Sequence, residues 1–156
     1  MRVGIGYDIH RLNGPGPLRL GGIAIPSPRG LQGHSDADVL LHAITDALLG
    51  AIGAPDIGEQ FPSSDARYRK AASRVFLDAA RAQVRRAGYT IGNVDTTVIA
   101  DAPTLTGYKA RLRASLGRLL GIPASRVSVK AKTTEAFAPG KDGMAAQAVV
   151  LLKRTR

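Results

Sequence analysis

The chain contains no cysteine and no tryptophan. Without a thiol it cannot build a disulfide framework, a thiolate zinc site, an iron–sulfur cluster or a cysteine nucleophile. Any bound metal must therefore rest on three histidines and the carboxylates. Aromatic residues make up only 4%, too few for the stacking platforms that hold single-stranded nucleic acid. No apolar run approaches the roughly 18–20 residues of a membrane span. The opening residues, MRVGIGYDIH, are charged and alternating rather than a secretory signal, so a cytoplasmic location is expected. The Walker A, G-x-G-x-x-G, G-x-S-x-G and H-E-x-x-H signatures are all missing.

What is present is an ordinary globular composition, with 44% apolar and 22% charged residues over 156 positions. That length fits one domain, residues 1–156, burying roughly 70% of the surface its unfolded chain exposes. Net charge is +10, unevenly placed. Residues 1–60 carry four basic and six acidic side chains, and the rest of the chain eighteen and six. All three histidines lie in the slightly acidic part. The later basic residues follow helical segments and read as solvated faces. Neither a nucleic-acid nor a membrane partner is expected.

Residues 2–8 alternate, with Val3, Ile5 and Tyr7 on one side of a strand. Leu18–Leu20 and Ile23–Ile25 flank Gly21-Gly22 as a hairpin. Ser35 is expected to open a helix, with Asp38 as its capping-box partner, running to about Leu49 and ending near Gly50. Residues 53–65 read as loop and 66–87 as a second helix, with Phe76, Ala80, Val84 and Ala87 on one face. A strand over Asn93–Ala100 and an Asp101-Ala102-Pro103 turn follow. A third helix carries Tyr108, Leu112, Leu116 and Leu119 on one face and stops at Gly121. Val127–Lys132 alternates as a half-buried strand, residues 136–143 form a loop, and Met144–Leu152 reads as a strand covered on both faces. This order suggests one α/β or α+β layer sandwich.

Asp8 and His10 stand at i and i+2 near a strand end, so both point to one face. Asp38, His42 and Asp46 form a polar stripe along an otherwise Leu/Ala-rich helix. Asp8, His10 and His42 together would give a three-ligand site with one open position, the pattern of catalytic zinc; the same donors also suit non-haem Fe(II). Gly33-His34-Ser35-Asp36 precedes the helix, where free N–H groups can bind phosphate. Lys132-Thr133-Thr134-Glu135 offers an ammonium, two hydroxyls and a carboxylate at a strand end, suited to a phosphate plus a hard cation.

Together these segments closely resemble the 2-C-methyl-D-erythritol 2,4-cyclodiphosphate synthase family of the non-mevalonate isoprenoid pathway. The resemblance is carried by Gly6-Tyr7-Asp8-Ile9-His10 and by the run from Gly33 to Gly50, which holds H-S-D-x-D-x-x-x-H. Asp56-Ile57-Gly58, Phe61-Pro62, Asn93-Val94-Asp95, Ala100 with Ala102-Pro103, and Lys130–Glu135 extend it to about residue 152. It implies an α+β sandwich with a four-stranded mixed sheet, helices on one side and a small N-terminal hairpin. It also implies a homotrimer with active sites at subunit interfaces.

The implied reaction is that of a phosphorus–oxygen lyase. The 2-phosphate of 4-diphosphocytidyl-2-C-methyl-D-erythritol 2-phosphate attacks its own β-phosphorus, closing a ring and expelling CMP. By position, Asp8, His10 and His42 would bind Zn²⁺, and Glu135 a Mg²⁺ or Mn²⁺ that accompanies the diphosphate. His34 and Thr133 would stabilise the transition state. Ile9, Ser35, Lys132 and Thr134 join them as substrate contacts. Asp56, Ile57 and Gly58 would take the ribose, with Phe61, Pro62, Ser63, Ser64 and Asp65 as a substrate loop. Ala100, Asp101, Ala102, Pro103, Thr104, Leu105 and Thr106 would form the cytosine pocket. The chain departs from the family pattern at Pro55 and Thr104, where Gly and Lys are usual. After Glu135 the loop is shorter and lacks the usual Gly-Phe-x-Gly-Arg-Gly-Glu-Gly; Phe137 replaces the pattern's Phe, a further expected substrate contact, and Lys141 follows where an Arg is usual.

Overall fold

Alternation over the first residues produces a ten-residue strand, β1 (Arg2–Arg11), in the computed structural model, which describes residues 1–135 and 142–155. Two short ribbons follow: β2 (Gly14–Pro15) pairs with β5 (Arg29–Gly30), and β3 (Leu18–Leu20) with β4 (Ile23–Ile25). The β3–β4 turn is Gly21-Gly22 with φ of +57° and +77°, a pair of left-handed residues that glycine adopts at little cost. Helices α1 (Val39–Ile52), α2 (Ile57–Gln60) and α3 (Arg74–Arg86) precede strand β6 (Tyr89–Ile99), and α4 (Lys109–Leu120) then leads to strands β7 (Val127–Lys132) and β8 (Gly143–Arg154). The four long strands form one sheet in the order β1-β8-β6-β7. β8 runs antiparallel to β1 and β6, whereas β6 and β7 are parallel. Hence β1, β6 and β7 all end at the same end of the sheet, with β1 and β7 at opposite edges.

The main helices cover one face of this sheet. On β8 the alternate residues Met144, Ala146, Ala148, Val150 and Leu152 are buried, packing with Val94 and Val98 and with Leu40, Ala43, Ile44, Ala47 and Leu48 of α1. The other face is open in the single chain: Val3, Ile5 and Ile9 are 65%, 62% and 60% exposed, with Tyr7 and Val149 beside them. Within one chain the helix side of Met144–Leu152 is covered, while Gln147 and Val149 on the other side stay exposed. The segment's run of Ala and Val hides which residues meet helices and which meet nothing within one chain.

Three helical boundaries also differ from expectation. α1 begins at Val39, not after Ser35, because Asp38 is the cap. The fully buried Asp38 carboxylate accepts from Leu41 N and also from Gly21 and Gly22 N, at 3.1, 2.8 and 2.7 Å. One side chain thus closes the helix and anchors the hairpin, although burial still pushes its carboxyl pKa up. α1 continues past Gly50 to end on Gly53, whose φ of +69° makes the left-handed cap. The helix expected over 66–87 is reduced to α3 after one 3-10 turn (Ala66–Tyr68). Lys70, at φ +61°, breaks the run where its N–H donates to His34 O and Asp36 N–H donates to Ala71 O. Ala87 falls beyond the helix and is exposed. Asp56 caps the one-turn α2 inside the expected 53–65 loop.

The contact that sets up the site is between β1 and α1. Gly4 and Gly6 lie on the helix-facing side of β1, where a Cβ would overlap the carbonyl oxygens of Ala47 and Ala43. The helix answers with Ala43, Ala47 and Ala51 at i, i+4 and i+8, so the two backbones touch. Asp8 and His10 continue the same side of β1 and meet His42, the neighbour of Ala43. Gly6→Ala should therefore push α1 off the strand. We expect a loss of about 1–3 kcal/mol, the usual cost of overpacking, read as a lower urea midpoint with an unchanged slope at fixed protein concentration. An unchanged midpoint would show that the helix yields freely.

Candidate metal centre and substrate cavity

The i, i+2 spacing on β1 and the register of α1 bring Asp8, His10 and His42 into one cluster, whose donor atoms all lie within 4.8 Å of one another. Asp8 Oδ2 is 2.9 Å from His10 Nε2 and 3.0 Å from His42 Nδ1, and the two ring nitrogens are 3.2 Å apart. A tetrahedral ion with ligand bonds of about 2.0–2.1 Å has donor–donor edges of about 3.3 Å. The triangle found here is close to one face of that tetrahedron, so the residues fit a metal ion and leave one corner for an outside ligand.

The far sides of both imidazoles are fixed as well. His10 Nδ1 donates to Gln32 O at 2.9 Å. Because a carbonyl only accepts, Nδ1 carries the proton and Nε2 presents a lone pair to the metal position. His42 Nε2 lies 2.8 Å from Ser73 Oγ, and Ser73 in turn bonds Asp36. The two rings are thus held by Gln32 and Ser73, 22 and 31 positions away in sequence.

Electrostatics binds the metal-free cluster together. The hydrogen bond to Asp8 raises the His10 pKa above its ordinary 6.5, against burial, with the Asp8 charge adding to it. Burial alone would raise Asp8, but its hydrogen bonds with His10 and His42 outweigh that and hold its carboxyl well below the usual carboxylate range. A metal ion must displace the proton that His10 holds. Affinity should rise with pH, by about tenfold per unit for one displaced proton, and level off only above pH 6.5. Zinc competition against a chromophoric chelator between pH 6 and pH 8 reads this directly; a flat profile would mean that His10 carries no proton there.

Asp8, His10 and His42 open into a cavity of about 340 Å³ that also takes in His34, Ser35, Ile57, Gly58, Phe61, Pro62 and Ser63. Its remaining walls are Tyr68 and Phe76, which sequence reasoning had not assigned to a site. Phe61, Tyr68 and Phe76 pack ring against ring, with centroids 4.9–5.7 Å apart, and Phe76 also faces His42 at 6.0 Å. Phe76 was legible only as a core position of its helix; its nearness to His42 needs the α1–α3 packing. Asp46, the last member of the α1 stripe, accepts from Ile57 N at 2.8 Å and so holds the 56–58 segment against the cavity. A larger open groove of about 620 Å³ along α4 and Gly121–Ala124 holds no cluster of metal-ligating groups.

Other expected residues lie elsewhere. Asp56 spends its carboxylate on Glu59 N as the α2 cap, and Asp65 pairs with Arg67. Ser64 is exposed outside the cavity lining, and Ile9 points to the open sheet face. The helix N-terminus expected to cradle phosphate after Gly33–Asp36 is instead closed by Asp38, so only the loop residues His34 and Ser35 face the cavity.

The second set gathers at the far edge of the sheet, where β6 and β7 end. Ala100 N–H donates to Lys132 O at 2.9 Å. The Asp101 carboxylate accepts from both Thr134 N and Thr134 Oγ1, at 2.8 and 2.7 Å. Thr133 Oγ1 donates to Glu135, which holds a left-handed φ of +53°. Ala102, Thr104 and Thr106 are exposed and Pro103 is half-buried. Leu105 is buried in the core, so its side chain is not free to touch a ligand. Within one chain none of these residues lines the cavity at Asp8. Phe137 and Lys141 lie outside the described residues.

Known proteins match the chain along nearly its whole length. The model of the YgbB family matches residues 1–153. A Shouchella clausii protein named 2-C-methyl-D-erythritol 2,4-cyclodiphosphate synthase is 51% identical, covering 99% of this chain and 98% of its own length. A Cupriavidus necator protein of the same name is 54% identical, with 99% and 92% covered. Among solved structures, a CDP-bound synthase of that name superposes with a TM-score of 0.91 at 43% identity, covering 97% of this chain and all of its own. The Plasmodium falciparum IspF–CDP complex gives 0.86 at 35%, covering 99% and 97%. The family model, the relatives and the solved structures each match nearly the whole chain, and the chain belongs to the YgbB family.

Proposed function

We propose that the chain is a 2-C-methyl-D-erythritol 2,4-cyclodiphosphate synthase, which converts 4-diphosphocytidyl-2-C-methyl-D-erythritol 2-phosphate into the cyclic diphosphate and CMP. The observation that carries this reading is the Asp8–His10–His42 triangle opening into a cavity, in a chain about half identical to synthases along its whole length. An oxygen of the 2-phosphate forms the new bond to the β-phosphorus. The bond from that phosphorus to the bridging oxygen breaks, and its electron pair leaves with CMP. The nucleophile belongs to the substrate, so no activated Ser, Cys or Lys is required. Zn²⁺ at Asp8, His10 and His42, with Mg²⁺ or Mn²⁺ at Glu135, supplies Lewis acidity and charge neutralisation when bound.

The chain's own residues then have to fold a flexible polyanion so that phosphate meets phosphorus. Such positioning can be worth roughly 7–11 kcal/mol of an intramolecular barrier. His10 and His42 present fixed lone pairs. His34 and Ser35 are the loop groups that reach the phosphates, with Thr133 and Lys132 from the second set. Ile57 and Gly58, held by Asp46, offer backbone to the ribose, while the Phe61, Tyr68 and Phe76 rings exclude water beside the reacting groups. Ala100–Thr106 provides backbone groups for the cytosine.

The same reading includes a homotrimer with each site shared between two subunits. Two features support it. The metal cluster and Glu135 stand at opposite edges of the four-stranded sheet. In addition, Val3, Ile5, Tyr7, Ile9 and Val149 leave an apolar stripe on the open face, of the kind that marks an interaction surface.

The experiment is incubation of purified protein with the diphosphocytidyl substrate, Zn²⁺ and Mg²⁺, followed by mass spectrometry. One CMP per cyclic diphosphate is expected. Release of inorganic phosphate, or CMP without the cyclic product, would overturn the assignment.

A further inference from the structure

Ser73 is fully buried at the start of α3, does not line the cavity, and yet its hydroxyl is 2.8 Å from His42 Nε2. We propose that Ser73 and Asp36 are positioning residues that fix the tautomer and ring orientation of His42 through a relay running from imidazole to hydroxyl to carboxylate; this rests on the reading of Asp8, His10 and His42 as a metal site.

The direction of the relay follows from what each group can donate. The Asp36 carboxylate has only acceptors, and Oδ1 takes both the Ser73 hydroxyl and the Ser73 N–H, the latter at 3.0 Å. With its one proton given to Asp36, Ser73 Oγ can only accept from His42. Nε2 of His42 must then carry a ring proton, which leaves Nδ1 as the nitrogen that can ligate at the metal position shared with Asp8 and His10. A hydroxyl polarised by a carboxylate is a better acceptor than a lone serine, so it also makes the ligating nitrogen more electron-rich.

Ser35 is the rival partner for Nε2, at 3.3 Å. Its oxygen already accepts from Ala37 N at 3.1 Å, and it faces the cavity, where substrate can claim it. Ser73 does not line the cavity, and its one further hydroxyl neighbour, Ser35 Oγ at 3.4 Å, can donate to the second lone pair of Ser73 Oγ without displacing His42. His10 has the matching device in Gln32 O, so each imidazole has one nitrogen fixed by the protein and one left for the metal. Asp36 also ties its loop to the start of α3, so a purely structural role must be separated from positioning.

The test compares zinc dissociation constants of wild type, Ser73→Ala, Ser73→Thr and Asp36→Asn by chelator competition, far below their melting temperatures. The visible spectra of the cobalt-substituted proteins are recorded alongside. Ser73→Ala should weaken zinc by about 10–100-fold, the usual effect of losing an outer partner of a metal-bound histidine, and should change the cobalt spectrum. Ser73→Thr, which keeps the hydroxyl, should recover most of the affinity. Asp36→Asn keeps an acceptor for the Ser73 groups but removes the charge, and should fall between. Equal zinc affinity and unchanged cobalt spectra in Ser73→Ala and Asp36→Asn, with melting temperatures alone lowered, would reduce both residues to structural ties and overturn the proposal. If wild type itself fails to bind zinc, it is the metal-site reading that falls.

Discussion

His42→Ala should release the bound zinc on dialysis and lower CMP formation by at least roughly 10²–10³-fold, the scale of losing one preorganised electrostatic group at a reacting centre. His42 is the only member of the triangle supplied by α1, with Asp8 and His10 on β1. Two donors on one strand cannot enclose an ion as a third from across the α1–β1 interface does. The variant should nevertheless fold. α1 is held by Val39, Leu40, Ala43, Ile44, Ala47, Leu48 and Leu49, all fully buried, and by the Asp38 cap, none of which depends on the imidazole. The small void left beside Phe76 and Ser73 opens to the cavity, so water can fill it and satisfy Ser73. Elemental analysis of dialysed protein and a steady-state assay, beside a thermal melt, separate the two effects. Full zinc occupancy in His42→Ala would remove it from the ligand set; loss of zinc with collapse of the fold would mean that the cluster is structural.

The α1 stripe illustrates how far the sequence could be read. Asp38, His42 and Asp46 were legible as three polar residues on one side of an apolar helix, and the strand spacing of Asp8 and His10 gave His42 a reason to be there. Each side chain has a different task, and each task is set by a partner distant in sequence: the Gly21-Gly22 turn for Asp38, β1 for His42 and Ile57 N for Asp46. Periodicity reports faces and not partners, which is why the pairing of Ser73 with Asp36, 37 positions apart, gave no signal. The Arg/Ala-rich stretch before α3 carries good helix formers, so local propensity extended that helix too far. Backbone bonds from Lys70 to His34 and from Asp36 to Ala71 override it and hold the loop that carries His34 and Ser35. On β8, the alternation of buried Ala and Val was readable as strand, but the fate of its second face depends on whether another copy of the chain is present.

Mixing two inactive variants should restore activity, provided that each site is shared between neighbouring subunits of a trimer. β1 and β7 are separated by β8 and β6, three strand spacings or roughly 14 Å. Cations acting on one diphosphate stand about 3.5–4 Å apart, so Glu135 is too far from Asp8, His10 and His42 in its own chain to hold a cation on the same diphosphate as theirs. In a ring of three, the metal edge of one subunit can face the Glu135 edge of the next. His42→Ala then spoils only the metal half of a subunit. Glu135→Gln spoils only the other half, at an expected cost of roughly 10²–10³-fold in rate. In trimers assembled at random from equal amounts of the two variants, a working site needs an intact metal half beside an intact Glu135 half. Each occurs with even odds, so about one quarter of the sites should recover. The measurement is CMP release by co-expressed, co-purified mixed assemblies against each variant alone, at equal total protein. Recovery to about one quarter of wild-type turnover would place the two halves on different subunits. Activity no higher than that of the separate variants would mean that one chain brings Glu135 to its own metal cluster, a movement across the full width of the sheet that its hydrogen bonding opposes.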